Sequence, residues 1–282
     1  MSAEQTPIWF RLAEYAVELI SPLNSQTVEL AGFFPAPPPA CPITVRYQLH
    51  ETTPQRYELR RTTPGYWQNL TWDDVLTVWI QFGLRDLLAL VKQQPVLHTA
   101  AVSCKKGGVL LCGESGSGKS TLAAYLALQG WHYLTDEAVL IDALQYNCHA
   151  LIRPLVLKAG SAQLYQQWFA DNPALHRPLQ DGTIWLSHHC FPSVAETTTP
   201  RIALFPTFRA GYAFQVQALS AAESAFRLLA SCFNADALPA SVMGSFLLWA
   251  GSIQYYQVFY SDVSQVAEWL GETVANLSEL AK

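Results

Sequence analysis

The sequence is poor in charge and has no cluster of basic residues. Only 14% of its 282 residues are Asp, Glu, Lys or Arg, whereas soluble domains average about 25%. The net charge is −5, and the scattered Lys and Arg residues do not form the basic stripe of a nucleic-acid-binding protein. The low charge predicts either a polar, uncharged surface or an apolar surface that a partner, such as a second copy of the chain, covers.

Cysteine pairs with metal-ligand spacing are also absent. Six cysteines are spread along the chain without a C-x-x-C pair, which argues against a structural zinc site. A disulfide framework is expected mainly in small, cysteine-dense chains, so we predict free thiols in a reducing cytoplasm. His188 and His189 stand next to Cys190, but three adjacent ligands give poor tetrahedral geometry, and we interpret them as loop residues.

No segment has the composition of a signal peptide or a transmembrane helix. The first residues lack a basic stretch followed by an apolar run. The longest uncharged stretch, residues 237–261, is interrupted by proline, serine and glutamine, whereas a span needs about 20 mainly apolar residues. We predict a buried helix followed by a strand there, in a cytoplasmic protein.

The pattern of apolar residues predicts an α/β protein with a β-rich N-terminal extension. Residues 43–49 alternate between apolar and polar, and residues 56–60 and 66–70 resemble short strands around a Pro-Gly turn. Residues 75–92 have helical spacing after several cap-type residues. We therefore divide the chain into an extension with its helix, residues 1–94, and a core, residues 95–282, in one integrated domain.

A phosphate-binding loop is the most specific motif. Residues 113–120 read GESGSGKS and match the pattern G-x-x-x-x-G-K-[ST]. Glycines allow successive N–H groups to surround one anion, Lys119 would reach the β- and γ-phosphates, and the Ser120 hydroxyl would bind Mg²⁺. The predicted nucleotide-binding residues are Gly113, Glu114, Ser115, Gly116, Ser117, Gly118, Lys119, Ser120 and Thr121.

The surroundings of this loop fit a nucleotide site. An apolar strand, residues 108–112, comes directly before it, and a helix over residues 119–129 is predicted directly after it, ending before Gly130. No Asn-Lys-x-Asp motif for guanine occurs, which favours ATP over GTP.

An acidic pair, Asp136 and Glu137, follows one strand-like segment after that helix. In most P-loop ATPases the Mg²⁺-binding aspartate lies much farther downstream. The early position predicts that Asp136 lies at the carboxyl edge of the sheet, beside the phosphates. One carboxylate could accept a proton from a substrate hydroxyl and the other could help to hold the metal, as a kinase requires.

Residues 97–160 resemble the HPr kinase/phosphorylase-like branch of the phosphoenolpyruvate-carboxykinase-type P-loop fold. The resemblance is carried by His98, the segment 108–111, the loop, the segment 130–137 and the segment Arg-Pro-Leu-Val-Leu-Lys at 153–158. It implies that Asp136 is the catalytic base, that Glu137 and Ser120 lie on the metal side, and that His98 lies near the transferred phosphate. It also implies that Lys158 lies near the phosphate or the acceptor. Some members of the family phosphorylate a peptide serine, and the parent enzymes are oligomeric.

The sequence departs from the family pattern in three places. The second acid is Glu137 where the parent enzymes have aspartate, and Thr121 stands where they have glutamate. Their glycine-rich signature for phosphorolysis has no clear counterpart. We therefore expect kinase activity without phosphorolysis, on an acceptor other than HPr.

The leading hypothesis is a Mg²⁺- and ATP-dependent kinase that acts on a hydroxyl, most readily the serine of a peptide or protein. Two alternatives remain open. A small-molecule kinase would also carry an aspartate close behind the first helix, and a non-catalytic ATP-binding regulator or scaffold would suit the low charge and the nine tryptophans.

Overall fold

The computed structural model describes residues 5–22, 25–34, 43–62, 64–161, 164, 170, 173–179 and 181–277. Its contacts divide the chain into two units. The first comprises Met1–Lys92 with Ile152–Cys190, and the second comprises Gln93–Leu151 with Phe191–Lys282. Among the described residues, no helix is long and apolar enough to cross a membrane.

Seventeen strands and six helices are assigned in the described part of the chain. The strands are β1 (Gln5–Leu12), β2 (Tyr15–Pro22), β3 (Ile43–Thr53), β4 (Arg56–Arg61), β5 (Tyr66–Leu70), β6 (Val96–Cys104), β7 (Gly107–Cys112), β8 (His132–Thr135), β9 (Ala138–Asp142), β10 (Asn147–Ile152), β11 (Leu155–Leu157), β12 (His176–Pro178), β13 (Ile184–Leu186), β14 (Thr197–Thr198), β15 (Pro200–Phe208), β16 (Gln215–Ala218) and β17 (Gln254–Tyr260). The helices are α1 (Ser25–Ala31), α2 (Trp72–Leu90), α3 (Lys119–Leu128), α4 (Ala221–Ala230), α5 (Ala240–Ala250) and α6 (Val263–Ala275).

The first unit contains a sheet in the order β1-β2-β3-β4-β5, with α2 on one face. Neighbouring strands are antiparallel, except that β2 and β3 are parallel and are joined through α1. The strands predicted near residues 43–49, 56–60 and 66–70 and the helix predicted at 75–92 are confirmed. Thr71 caps α2 with the side chain predicted for that role. Helix α1 was not predicted.

Helix α2 lies close to this sheet because one of its residues has no side chain. Trp79 is fully buried, with ring centroids 5.3 Å from Phe10 and 5.1 Å from Phe34. One turn farther along, a Cβ on Gly83 would lie 2.7 Å from the Phe10 ring and 2.9 Å from Val17. Glycine is therefore required for this helix-to-sheet distance.

The segment 152–190 packs with the N-terminal extension, whereas the sequence predicts that all of 95–282 belongs to the core. It forms a small antiparallel sheet in the order β11-β13-β12. The Trp185 ring lies 6.0 Å from that of Phe34, and the Ser187 hydroxyl donates to the Gly32 carbonyl at 3.3 Å. These contacts join two segments that are far apart in sequence, which local patterns do not reveal.

The second unit is built on a large mixed sheet, which makes the chain an α/β protein. The order β16-β17-β15-β7-β6 continues with β8 and β9, which both pair with the far side of β6, and then with β10 and β14. Strands β7, β15 and β17 are parallel, and β6 is antiparallel to β7. Helix α3 packs against β6, β7 and β8.

Most elements of this unit follow the predicted pattern. The helix after the loop ends at Leu128, and Gly130 has a φ of +93°, as a helix terminus of this kind requires. Ser220 caps α4, and residues 237–261 form α5 and β17 as predicted. Five cysteines are free, and Cys41 lies outside the described residues.

Candidate nucleotide and phosphoryl-transfer site

The glycine-rich loop connects β7 to α3 and leaves a helix N-terminus without a capping side chain. Strand β7 is buried along Val109–Cys112, so its carboxyl end fixes the start of the loop. Gly113, Gly116 and Gly118 have φ values of +134°, +88° and +100°, which L-residues rarely adopt. Gly118 is the N-cap of α3 and makes no side-chain cap. The first N–H groups of α3 have no intrahelical partner, so they suit an anion.

Lys119 is held inside this loop. Its side chain is only 6% exposed, and Nζ donates to the Gly113 carbonyl at 2.7 Å and to the Glu114 carbonyl at 2.9 Å. Lys119 stands at the end of the loop, and its side chain therefore reaches back to the two residues at the beginning of the loop. A phosphate bound in the loop would meet a cation that is already desolvated and directed inward, which strengthens their attraction.

The loop also rests on the ends of the neighbouring strands. The Phe208 N–H, at the end of β15, donates to the Ser117 carbonyl at 3.3 Å. A Cβ on Gly118 would clash with Oη of Tyr260, the last residue of β17. The Ser117 hydroxyl is buried without a hydrogen-bond partner. A cradle that only glycine can form and an unused buried hydroxyl both fit a bound polyphosphate.

Strand register brings the acidic pair to the level of the loop. Strands β7 and β8 are both antiparallel to β6, so they run in the same direction on its two sides. Cys112 is opposite Thr99, and Thr135 is opposite Ala101. The loop and Asp136 therefore leave their strands on either side of the same stretch of β6, about 10 Å apart, since strands are spaced about 4.8 Å.

Asp136 directly follows the carboxyl end of β8, and the sheet continues beyond it. Strand β9 continues along the same side of β6, with Ala138 opposite His98. Asp136 and Glu137 thus occupy a break between two strands that pair with one partner, and the Thr99 N–H donates to the Glu137 carbonyl at 3.1 Å. The break lets the two carboxylates leave the alternation of a regular strand.

The two acids have different surroundings. Asp136 is only 4% exposed, and its Oδ1 lies 3.5 Å from the Tyr133 hydroxyl, which is at the limit of a hydrogen bond. The Tyr133 ring stacks on Phe191 at 4.5 Å. Glu137 is half-buried, and its Oε1 lies 3.8 Å from Nε2 of His98. The structure therefore brings His98 to Glu137, the acid that we had assigned to the metal.

Lys158 does not belong to the same unit as the loop. It follows β11 in the first unit, its side chain is exposed, and its carbonyl accepts the Ser161 N–H at 2.8 Å. His188–Cys190 form a short 3₁₀ turn in the same unit. The Cys190 thiol donates to the Leu175 carbonyl at 3.1 Å, and burial raises its pKa to about 12.

Sequence reasoning missed Arg209, the residue after β15. It comes directly after Phe208, whose N–H contacts the loop, and its own N–H donates to the Tyr260 carbonyl at 3.0 Å. Its guanidinium lies over the Tyr212 ring at 5.3 Å and donates to the Tyr212 hydroxyl at 2.8 Å. The sequence does contain a signal for this residue, which is an arginine directly after an apolar strand. Parallel strands end at one edge of a sheet, so an arginine in that position is expected near the loop that follows β7.

The side chains near the loop suit Mg²⁺ more than a transition metal. Among the described residues, no group of three or more His, Cys, Asp and Glu side chains could hold a metal ion. Mg²⁺ does not need such a group, because it keeps several waters and takes one or two protein oxygens together with substrate phosphates. Ser120, Asp136 and Glu137 can supply those oxygens. Burial raises the pKa of the nearby Cys112 thiol to about 11, so this sulfur stays protonated.

A separate cavity of about 520 Å³ opens in the first unit. The β3–β4 turn, the start of α2 and Arg177 line it. None of the predicted site residues lies in its wall, so it belongs to a different part of the protein from the loop.

The chain is loosely similar to solved structures. No protein-family model and no curated protein sequence matches the chain. Among solved structures, the HPr(Ser) kinase/phosphatase from Coxiella burnetii is similar, with 11% sequence identity, coverage of 63% of this chain and 89% of that chain, and a TM-score of 0.32. A superposition this loose transfers neither activity nor substrate, so the geometry of the site itself has to support a function.

Proposed function

We propose that the protein is a Mg²⁺- and ATP-dependent kinase that phosphorylates a hydroxyl group, with the serine of a peptide or protein as the preferred acceptor. The register of β6 carries this proposal. A glycine-rich loop with a buried lysine lies on one side of this strand, and a buried aspartate lies on the other. Phosphoryl transfer needs this combination of charge neutralisation and a carboxylate that orients the nucleophile.

Mg-ATP would supply the phosphoryl group and part of the positive charge that stabilises the transition state. Lys119 and the N–H groups at the start of α3 would bind the β- and γ-phosphates, and Ser120 with Glu137 would hold the metal. Asp136 would accept the proton of the acceptor hydroxyl. The acceptor oxygen forms its bond to the γ-phosphorus while the bond from that phosphorus to the β–γ bridging oxygen breaks, and ADP leaves.

Arg209 would provide a further positive charge at the open side of the loop. Among the described residues, its recorded side-chain contacts are with Tyr212 and none is with a carboxylate. No carboxylate among the described residues therefore competes with a phosphate for this guanidinium. A phosphate oxygen would be a stronger acceptor for it than a neutral tyrosine hydroxyl.

The direct test is transfer of labelled γ-phosphate from Mg-ATP to serine-containing peptides, by wild type and by Lys119→Ala. We expect labelled peptide with wild type only, because Lys119→Ala removes the cation that closes the loop around the phosphates. Circular dichroism of both proteins would show that the variant is folded. ATP binding that needs Lys119, without transfer to any acceptor, would contradict the kinase and favour the regulator.

A further inference from the structure

Phe233 is a large aromatic side chain that is exposed beside the predicted reaction centre. It is 41% exposed, and its ring centroid lies 5.2 Å from that of His98, with the planes inclined by 33°. His98 in turn lies next to Glu137. An exposed aromatic ring next to His98, which itself lies next to Glu137, is a surface suited to an apolar ligand group.

The segment that carries Phe233 is fixed to β6 at the place that β7 leaves free. Strand β7 ends opposite Thr99, and beyond this point residues 231–233 pair with the same side of β6. The His98 N–H donates to the Ser231 carbonyl at 2.8 Å, and the Phe233 N–H donates to the Val96 carbonyl at 2.8 Å. Phe233 therefore stands just beyond the strand end from which the phosphate loop departs.

Asn234 holds this segment from the other end. Its Oδ1 accepts the Val96 N–H at 3.0 Å, and its Nδ2 donates to the Gln94 carbonyl at 3.0 Å. Asn234 is itself buried. Hydrogen bonds on both sides of Phe233 restrain its backbone, so little conformational entropy would be lost when the ring binds a ligand.

We infer that Phe233 forms an apolar wall for the phosphate acceptor and selects serine residues that have an apolar neighbour. The inference depends on the proposed kinase function. Lys119 and the loop account for the phosphates, and the acidic pair accounts for the hydroxyl and the metal, so the ring faces what remains of the acceptor. An aliphatic or aromatic side chain next to the serine would bury the exposed ring, whereas a charged one would lose hydration against it.

A serine peptide library with one fixed serine and randomised flanking positions tests this inference. Phosphorylation by wild type should select apolar residues at a position next to the serine. Phe233→Ala should reduce that selection about tenfold, the effect of losing a few apolar contacts in a specificity pocket, and should leave the KM for ATP unchanged. Phe233→Leu should restore most of the selection.

Phe226→Ala is the matched control. Phe226 is 74% exposed and lies on α4, and its loss should leave the selection intact. The inference is overturned if wild type shows no apolar preference, if the preference survives in Phe233→Ala, or if Phe233→Ala raises the KM for ATP, since the ring would then contact the nucleotide. Absence of transfer to every peptide by wild type would overturn the kinase proposal itself, and this inference with it.

Discussion

At the scale of single residues, the loop depends on positions where only glycine fits. Gly118 combines a φ of +100° with the Tyr260 hydroxyl in the direction of a side chain. Gly116 also has a positive φ, but a Cβ there would meet no atom within 4 Å. The motif pattern requires Gly118 and leaves the position of Gly116 open, and only the packing against β17 shows why Gly118 is sterically required. Burial raises the pKa of the Tyr260 hydroxyl, so it remains neutral next to the glycine-rich loop.

Gly118→Ala should lower both the free energy of unfolding and the affinity for Mg-ATP. The left-handed backbone alone costs an L-residue about 1–2 kcal/mol, and the clash with Tyr260 adds to it. Adding Tyr260→Phe removes the clashing oxygen and leaves the nearest ring carbon at 3.5 Å, so the double variant should recover part of the loss. Urea unfolding and calorimetric titration measure the two effects. A Gly118→Ala protein as stable as wild type would show that the loop is not constrained in this way.

At the scale of elements, β6 organises the candidate site. Strand β6 pairs with β7 on one side and with β8 and β9 on the other. Where the pairing with β7 stops, the segment 231–233 pairs with the rest of β6 on the same side. The sequence predicts these strands because their apolar runs are strong. It does not predict that β8 and β9 share one partner, because pairing is decided by contacts between distant segments. The break that holds Asp136 and Glu137 is a consequence of that pairing.

A pair of glycine substitutions in helices tests how closely the elements pack. In Gly83→Ala, the gain in helix propensity of about 1 kcal/mol should be outweighed by the overlap with Phe10 and Val17, which typically costs about 1–3 kcal/mol. In Gly271→Ala, on α6, the added Cβ would meet nothing within 4 Å, so the propensity gain should remain. The first variant should therefore unfold at lower urea concentration than wild type, and the second at equal or higher concentration.

The reverse order of stability would contradict this account of how α2 packs. Gly83 also illustrates a limit of the sequence. Judged from the helical pattern alone, glycine at this position only lowers the helix propensity. The Phe10 ring and Val17 of the neighbouring sheet show that a larger residue would not fit.

At the scale of the whole molecule, chain order misleads where the fold brings distant segments together. The segment 152–190 follows the core strands in sequence but packs with the N-terminal extension, so Lys158 is in a different unit from the loop.

The low charge of the sequence agrees with the presence of large apolar side chains on the surface, where Leu144, Phe226 and Leu248 are 81%, 74% and 76% exposed. The local motif predicted the loop, the helix and the acidic pair, because each depends on residues adjacent in sequence. Arg209 and Phe233 belong to no local motif, because only the strand pairing brings Arg209 near the loop and Phe233 near His98.

The central claim is that nucleotide binding and proton acceptance are carried by different residues on the two sides of β6. Asp136→Asn separates the two tasks, because it keeps the size of the side chain and removes its charge. Mg-ATP affinity and γ-phosphate transfer should be measured on the same protein sample. We predict that affinity stays within a few fold of wild type, since Lys119 and the loop are intact, and that transfer falls about 10²–10⁴-fold, the usual contribution of a general base. Transfer at the wild-type rate would contradict the account.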